Sequence, residues 1–134
     1  MILEDIQAAL AQGRRTAASL GVEVSLAVVD AGGVLRAFEM MDGAEIAGET
    51  LAVDKAFTAV AHRISTAELG ELAQPGGELF GLQANGHGRY VLIGGGLPIT
   101  HLGTIVGGAG VSGATSAQDV VCAQAVAEAL QARL

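Results

Sequence analysis

The sequence GGGLPITHLGTIVGGAGVSG, residues 94–113, decides the fold of this chain. It predicts a strand, a tight turn and a second strand, because Pro98 disfavours helix for the residue before it and Leu102-Gly103 suits a hairpin turn. Glycine weakens a strand unless another group must come close to its backbone. We therefore expect a helix or a second subunit to lie flat on the strand that carries Gly107, Gly108, Gly110 and Gly113.

The triple glycine 94–96 could also be interpreted as a phosphate-binding loop. No G-x-x-x-x-G-K-[ST] pattern follows it, and no helix is predicted to begin there, as a phosphate site requires. Tight turns and close packing are the simpler explanation, and the glycines also leave backbone space for a loop or a ligand.

Outside this stretch, apolar residues at helical spacing predict helices at 2–20 and 44–63. A short helix is predicted to begin with Thr66 as its N-cap. A last helix is predicted from Thr115 onward, since Thr115 and Gln118 have the spacing of a capping box. Further strands are predicted at 22–29, 34–39 and 90–93. The order is helix, two strands, long helix, three strands, helix. It predicts one α/β (α+β) domain over residues 1–134, with an antiparallel sheet flanked by helices.

The second helix carries three distinct faces. The apolar face, which we expect to meet the sheet, is formed by Val53, Phe57, Val60 and Ile64. A face of small residues, suited to the close approach of another element, is formed by Ala52, Ala56 and Ala59. The remaining face carries Lys55, Thr58 and His62, at spacings of three and four.

The composition of the chain limits the classes of partner that it could bind. Of the 134 residues, 51% are hydrophobic and only 16% are charged, which favours burial of part of the surface in a homo-oligomer over a compact core alone. A net charge of −7 and few aromatic side chains exclude a nucleic-acid footprint. The acidic first residues do not resemble a signal peptide, and no segment is apolar enough to span a membrane. A cytoplasmic protein is the expectation.

Several lone groups have plain structural explanations. Cys122 lies in a predicted helix and is expected to be a small core residue, not a nucleophile. Glu68 and Glu71 stand one helical turn apart, where a solvated face is a simpler interpretation than a weak metal site.

The ordered motifs resemble those of the GlcG-like haem-binding proteins, which include the C-terminal domain of PduO-type adenosyltransferases. The matching segments run over nearly the whole chain: VVDAGG at 28–33, MDGA at 41–44, KAFT at 55–58, GGLPI at 95–99, GGAGVSG at 107–113 and QD at 118–119. Each segment alone is weak, but the ordered set is specific.

This resemblance implies a profilin-like, three-layer α/β/α sandwich with a five-stranded antiparallel sheet, and dimers that often assemble further. Members have been linked to haem or corrinoid binding, and others have no settled activity. The resemblance therefore implies haem as a possible cofactor, and His62, His87 and His101 are the candidate iron ligands. No motif selects one of them, and a lone histidine is more often structural.

The pair of Asp42 and Lys55 is the other candidate site. Lys55 is the only lysine in the chain and has apolar neighbours, so its charge should be compensated. We expect it to point into a pocket near Asp42 and the Gly94–Gly96 loop. It is either a structural salt bridge to Asp42 or Asp54, or a group that meets an anionic ligand or acts as an acid, a base or a Schiff-base amine.

Two functions remain open. The first is an oligomeric protein that binds haem or a related tetrapyrrole in a pocket near an intersubunit interface, lined by the second helix and the loops 40–43 and 94–98. The second is a small enzyme, without a cofactor, that acts on a carbonyl or carboxylate metabolite through Lys55 and Asp42. The predicted ligand-binding residues are Met41, Asp42, Lys55, Thr58, His62, Gly95, Gly96 and Pro98.

Overall fold

The computed structural model describes all 134 residues. Its α-helices are α1 (Leu3–Ser19), α2 (Gly48–His62), α3 (Thr66–Leu72) and α4 (Ser116–Gln131). Its strands are β1 (Ser25–Asp30), β2 (Leu35–Met40), β3 (Gly96–His101) and β4 (Thr104–Ser112). Two single-turn 3₁₀ helices, Leu82–Ala84 and Gly86–Gly88, lie in the long connection between α3 and β3.

The strands form one antiparallel sheet in the order β2-β1-β4-β3. Helices α1 and α4 cover one face of the sheet, where Leu26, Val28 and Val111 join the main hydrophobic core. Helix α2 covers the other face and packs mainly on β4. The predicted α+β architecture with an antiparallel sheet between helices is confirmed, but the sheet has four strands, not five.

The missing strand is the one predicted at 90–93. Its backbone does not pair with the sheet: the amide of Val91 donates to Oγ1 of Thr58 at 3.0 Å, and the hydroxyl of Thr58 lies 3.2 Å from the carbonyl of Arg89. A side chain of α2 thus satisfies polar groups that a neighbouring strand would otherwise bond. The residue pattern alone cannot show whether these backbone groups bond to a side chain or to a neighbouring strand.

Two glycines of β4, Gly108 and Gly110, are needed because α2 lies directly on them. A Cβ atom added to Gly108 would lie 2.5 Å from the carbonyl oxygen of Ala56, and one added to Gly110 would collide with the carbonyl of Ala52. This confirms the expectation of a helix lying flat on the strand. A strand without side chains can be approached closely only by a helix with small residues on the facing side.

The same packing shows that the prediction for the faces of α2 was wrong. The side that meets the sheet carries Ala52, Ala56 and Ala59, which are fully buried. The larger side chains Val53 and Phe57 are displaced to the flanks of the helix and are half-buried. Size, not hydrophobicity, decides which side of this helix touches the sheet.

Most of the predictions for turns and helix caps are confirmed. Leu102 and Gly103 form the hairpin turn with φ of 49° and 78°, and Thr115 with Gln118 forms a capping box. The short helix is capped by Ser65, not by Thr66 as predicted. Thr66 is buried instead, and its hydroxyl accepts a hydrogen bond from the amide of Gly96 at 2.9 Å.

Cys122, a residue of α4, is buried in the main hydrophobic core, as predicted. Burial, together with the nearby carboxylate of Asp119, raises the pKa of the Cys122 thiol. The thiolate, the reactive form, is therefore disfavoured at neutral pH.

Candidate functional site

Lys55 of α2 forms a buried ion pair with Asp119 of α4. The residue is only 2% exposed, and its Nζ donates to Oδ2 of Asp119 and to the carbonyl oxygen of Val111, both at 3.0 Å. The other carboxylate oxygen of Asp119 accepts the amide of Ala114 at 3.0 Å. Both charges are thus paired and hydrogen-bonded, as buried charges must be.

The partner of Lys55 differs from both predicted ones. Asp42 is exposed, and Asp54 is bonded to Arg89 at 3.0 Å. Lys55 does lie near the Gly94–Gly96 loop and away from bulk water, since a Cβ added to Gly95 would lie 2.9 Å from Nζ. The prediction that it points into a pocket was wrong, because it lines neither cavity of the structure. Asp119 was missed because an acidic residue in the first turn of a helix is common at the surface, where it interacts favourably with the helix dipole.

The other predicted ligand-binding residues do not converge on one cavity. Thr58 is buried and bonded to Asp54 and Val91, and Met41 is half-buried, with its sulfur accepting the amide of Val24 at 3.4 Å. Gly96 packs against the backbone of Lys55, and Pro98 lies in the edge strand β3. A role in ligand binding stays a prediction for these residues.

The three histidines lie in different environments. His62 ends α2 and packs edge-on against Tyr90 with ring centroids 4.4 Å apart, and its buried Nε2 has no hydrogen-bond partner. His87 is exposed in the long connection. His101 is half-buried at the end of β3, directly opposite Thr104. No group of three or more histidine, cysteine or acidic residues is arranged to hold a metal ion.

The largest cavity lies at one end of the sheet and has a volume of about 580 Å³. We call it the end cavity. It opens where the β1–β2 turn and the β3–β4 turn meet the C-terminal end of α2. Its lining residues are Ala31, Gly32, Gly33, Phe57, Val60, Ala61, Arg63, Gly103, Thr104 and Ile105.

The end cavity combines an apolar wall with one cation. Phe57, Val60 and Ile105 supply the apolar surface, and Arg63, which ends α2 with a φ of 60°, supplies the positive charge. The guanidinium of Arg89 stacks on the ring of Phe57, with its Cζ 3.7 Å from the ring centroid, in a cation–π contact. Polar atoms form more of the lining than these apolar side chains do, so the cavity suits a ligand with both apolar and anionic parts.

Sequence reasoning missed this cavity because its residues come from three separate segments, two of them tight turns. The only available signal was that the VVDAGG and KAFT segments both carry residues of its wall. Neither this cavity nor the second one is lined by the 94–98 loop.

The second cavity, of about 380 Å³, is a groove between the edge strand β2 and α2. It is lined by Leu35, Phe38, Met40, Glu49, Thr50, Val53 and Asp54. We call it the edge groove.

The match to known proteins covers almost the whole chain. The family model described as haem-degrading protein HbpS-like matches residues 1–128. The chain belongs to the HbpS-like family. The resemblance inferred from the ordered motifs is thereby confirmed.

Relatives of this HbpS-like chain include the corrinoid adenosyltransferase PduO of Salmonella typhimurium, 38% identical over 114 residues. That match covers 85% of this chain but only 34% of PduO, so the chain spans about a third of that relative.

Two solved structures have the same fold. The crystal structure of Klebsiella pneumoniae protein ORFY has a TM-score of 0.95 and 32% identity, covering 98% of this chain and 91% of that one. The crystal structure of a PduOC:haem complex has a TM-score of 0.92 and 34% identity, covering 96% of this chain and 94% of that one.

None of the helices in this HbpS-like chain is both long and apolar enough to cross a membrane.

Proposed function

We propose that this chain binds haem or a related tetrapyrrole, and that the ring enters the end cavity. Membership of the HbpS-like family and the haem complex of PduOC support haem as the ligand. The observation that carries the location is the apolar wall of Phe57, Val60 and Ile105 beside the single cation Arg63.

The lining residues fit the organic part of the group, but none of them can ligate iron. Haem has a broad apolar face, which buries well against aromatic and branched side chains. Its propionates need a cationic partner, and the planar guanidinium of Arg63 can donate two parallel hydrogen bonds to a carboxylate. When bound, haem would supply a redox-active iron; the lining residues would supply apolar contact and the counter-charge, and an axial ligand would have to come from outside the lining.

We propose His101 as that axial ligand. It stands directly opposite Thr104 in the β3–β4 ladder, and directly opposite residues project from the same face of a sheet. Thr104 lines the end cavity, and His101 lies just outside the lining, at the end of the strand that leads into the β3–β4 turn. His62 packs against Tyr90, and His87 lies in the exposed 3₁₀ turn.

Titration with haem, followed by the Soret absorption band, tests this proposal. The parent protein is expected to show a saturable spectral change with one haem per chain. His101→Ala is expected to lose the axial-ligand signature, while His87→Ala, a matched change in an exposed loop, keeps it. An unsaturable response of the parent would contradict haem binding, and an unchanged spectrum of His101→Ala would contradict the ligand assignment.

The second expected partner is another copy of the chain. The small-residue face of α2 and the glycines of β4, which prompted the oligomer prediction, are used internally, so they do not form the interface. We propose instead that a second copy of the chain covers the edge groove. The outer edge of β2 has no neighbouring strand, β2 exposes Leu35 and Met40, and the loop that follows exposes Ile46.

Light scattering is expected to give a mass of at least twice 13.4 kDa at micromolar concentration. Met40→Lys, which places a charge in the groove, is expected to shift the mass toward the monomer, whereas Leu20→Lys, on an exposed site at the end of α1, leaves it unchanged. A parent protein that runs as a monomer would rule out this assembly.

The enzyme alternative gains no support from the geometry. A catalytic amine must reach its substrate, and Lys55 is enclosed by its bonds to Asp119 and Val111. A catalytic role for Lys55 and Asp42 stays a prediction, but no cavity of this structure brings the two together.

A further inference from the structure

The sheet has two outer edges, β2 and β3, and only one of them is open. On β3, the amide of Gly96 donates to Oγ1 of Thr66 at 2.9 Å, and Pro98 has no N–H to donate. The carbonyl oxygen of Thr100 accepts a hydrogen bond from Nε2 of Gln131 at 3.1 Å. Side chains of α3 and α4, together with a proline, thus block the positions that another strand would need there.

The outer edge of β2, by contrast, offers free backbone groups. Strand β2 pairs only with β1, and the amide of Met41, the next residue, donates to the carbonyl of Val24 at 3.1 Å. Because inward-facing and outward-facing groups alternate along a paired strand, Met40 and Phe38 present their amides and carbonyls outward. Arg36 continues the alternation at the bulge of the ladder. No side chain hydrogen-bonds to the backbone of β2, so nothing within the chain occupies this edge.

The register of a pairing between two copies at this edge follows from symmetry. Two identical neighbouring strands run antiparallel in one sheet only if the twofold axis is perpendicular to the sheet, so both copies keep the same face up. Directly opposite residues share a face, so a residue lies opposite itself or opposite a residue an even number of positions away. An axis at Phe38 places Arg36 of one copy opposite Met40 of the other. This register bonds all three outward-facing residues of both strands, whereas an axis at any other residue leaves some of them unbonded.

The charges on this edge agree with that register. Arg36 and Glu49 are both exposed, and neither forms an ion pair within the chain. Glu49 lines the edge groove together with Met40, so a residue opposite Met40 lies beside this carboxylate. In the register above, that residue is Arg36 of the second copy, and this complementarity favours a second copy over an unrelated strand. The exposed apolar surface of Leu35 and Met40 lies along the same edge, where a second copy would remove it from water.

We infer that the β2 strands of two copies pair antiparallel across a twofold axis at Phe38, which joins two four-stranded sheets into one of eight strands. Arg36 of each copy then faces Glu49 in the edge groove of the other. This inference rests on the proposed assembly through the edge groove, and it adds the backbone pairing and its register. It also implies that the two grooves adjoin along one apolar floor, formed by Phe38 and Met40 of both copies.

Phe38→Cys tests the register, because the Cα atoms of this residue and its copy at the axis would be about 5.5 Å apart, a distance that a disulfide spans. After mild oxidation, we expect a band at twice 13.4 kDa on a non-reducing gel, which reduction converts to the monomer. Leu35→Cys, on the same exposed edge, is the matched control: its two copies would be roughly 20 Å apart along the strands and should stay unlinked. The parent should also stay unlinked, because its only cysteine, Cys122, is buried.

Hydrogen exchange of the parent protein, followed by nuclear magnetic resonance, gives a second readout that does not depend on the folding of a cysteine variant. In the paired dimer, the amides of Phe38 and Met40 are expected to exchange as slowly as the amide of Met41, which is bonded within the chain. In Met40→Lys, which is expected to shift toward the monomer, the amide of Phe38 should lose this protection.

The possible failures are distinguishable. A parent that is a dimer by light scattering, with Phe38→Cys unlinked and the Phe38 amide exchanging freely, would overturn the pairing while leaving the proposed assembly intact. Leu35→Cys that links as readily as Phe38→Cys would overturn the register. If the parent is a monomer, the proposed assembly fails and this inference with it, and the edge is left for a strand of another protein.

Discussion

Lys55→Met is expected to lower the free energy of unfolding by about 3–5 kcal/mol, because it leaves the carboxylate of Asp119 buried without a counter-charge. Methionine keeps most of the apolar volume of the lysine stem, so the loss reports the ion pair and not a cavity. Urea denaturation followed by circular dichroism measures the change.

The control is to remove both charges together. Lys55→Met combined with Asp119→Leu is expected to recover much of the loss, since replacing a buried ion pair with apolar residues is often close to neutral. Recovery will be incomplete, because the carboxylate of Asp119 also accepts the amide of Ala114. Arg14→Met, which breaks a part-exposed pair with Glu39, should cost at most about 1 kcal/mol. A single Lys55→Met variant as stable as the parent would contradict a structural role.

Gly110→Ala is expected to lower stability by about 3 kcal/mol or more, at the upper end of what overpacking costs. The added methyl group would collide with the backbone carbonyl of Ala52, which cannot move aside without shifting the whole of α2. The midpoint of thermal or urea unfolding measures the effect.

Gly32→Ala is the matched control for Gly110→Ala. A methyl group there meets only the side chain of Asp30, at 3.3 Å, and the backbone of Gly32 is not left-handed. We expect a change within about 0.5 kcal/mol, as for most surface substitutions. Equal stability of the two variants would show that α2 does not lie on β4 as described.

The contact of α2 with β4 shows what the sequence could predict. Glycines in a strand that is otherwise β-branched have few explanations other than close approach, so the helix over Gly108 and Gly110 followed from local chemistry. The side of the helix that would make the approach did not follow, because hydrophobic periodicity identifies Phe57 and Val53 as more apolar than Ala52. Only the geometry of a flat strand makes the alanines the better contact.

The partner of Lys55 shows what could not be predicted from the sequence. The sequence indicated that a lone lysine among apolar residues must be paired and must avoid bulk water. It could not select Asp119, which is 64 residues away, over the nearby Asp42 and Asp54. The pairing depends on how α2 and α4 lie relative to β4 and the Gly94–Gly96 loop.

The end cavity depends on tertiary structure in the same way. Phe57, Gly33 and Thr104 belong to a helix and two turns that meet only after the sheet has formed. The family resemblance indicated haem but not its location. Of the two loops chosen from the sequence, the 40–43 loop contributes Met40 to the edge groove beside α2, whereas the 94–98 loop lines neither cavity.

The location of haem can be measured directly by nuclear magnetic resonance, because the unpaired electrons of ferric haem broaden the resonances of nearby amides. Glycine amides serve as reporters: Gly32, Gly33 and Gly103 line the end cavity, whereas Gly21 lies before β1, roughly 20 Å away along the six-residue strand. With one equivalent of ferric haem, we expect the first three resonances to disappear and that of Gly21 to remain. Saturable binding that leaves Gly32, Gly33 and Gly103 sharp would contradict haem binding in the end cavity.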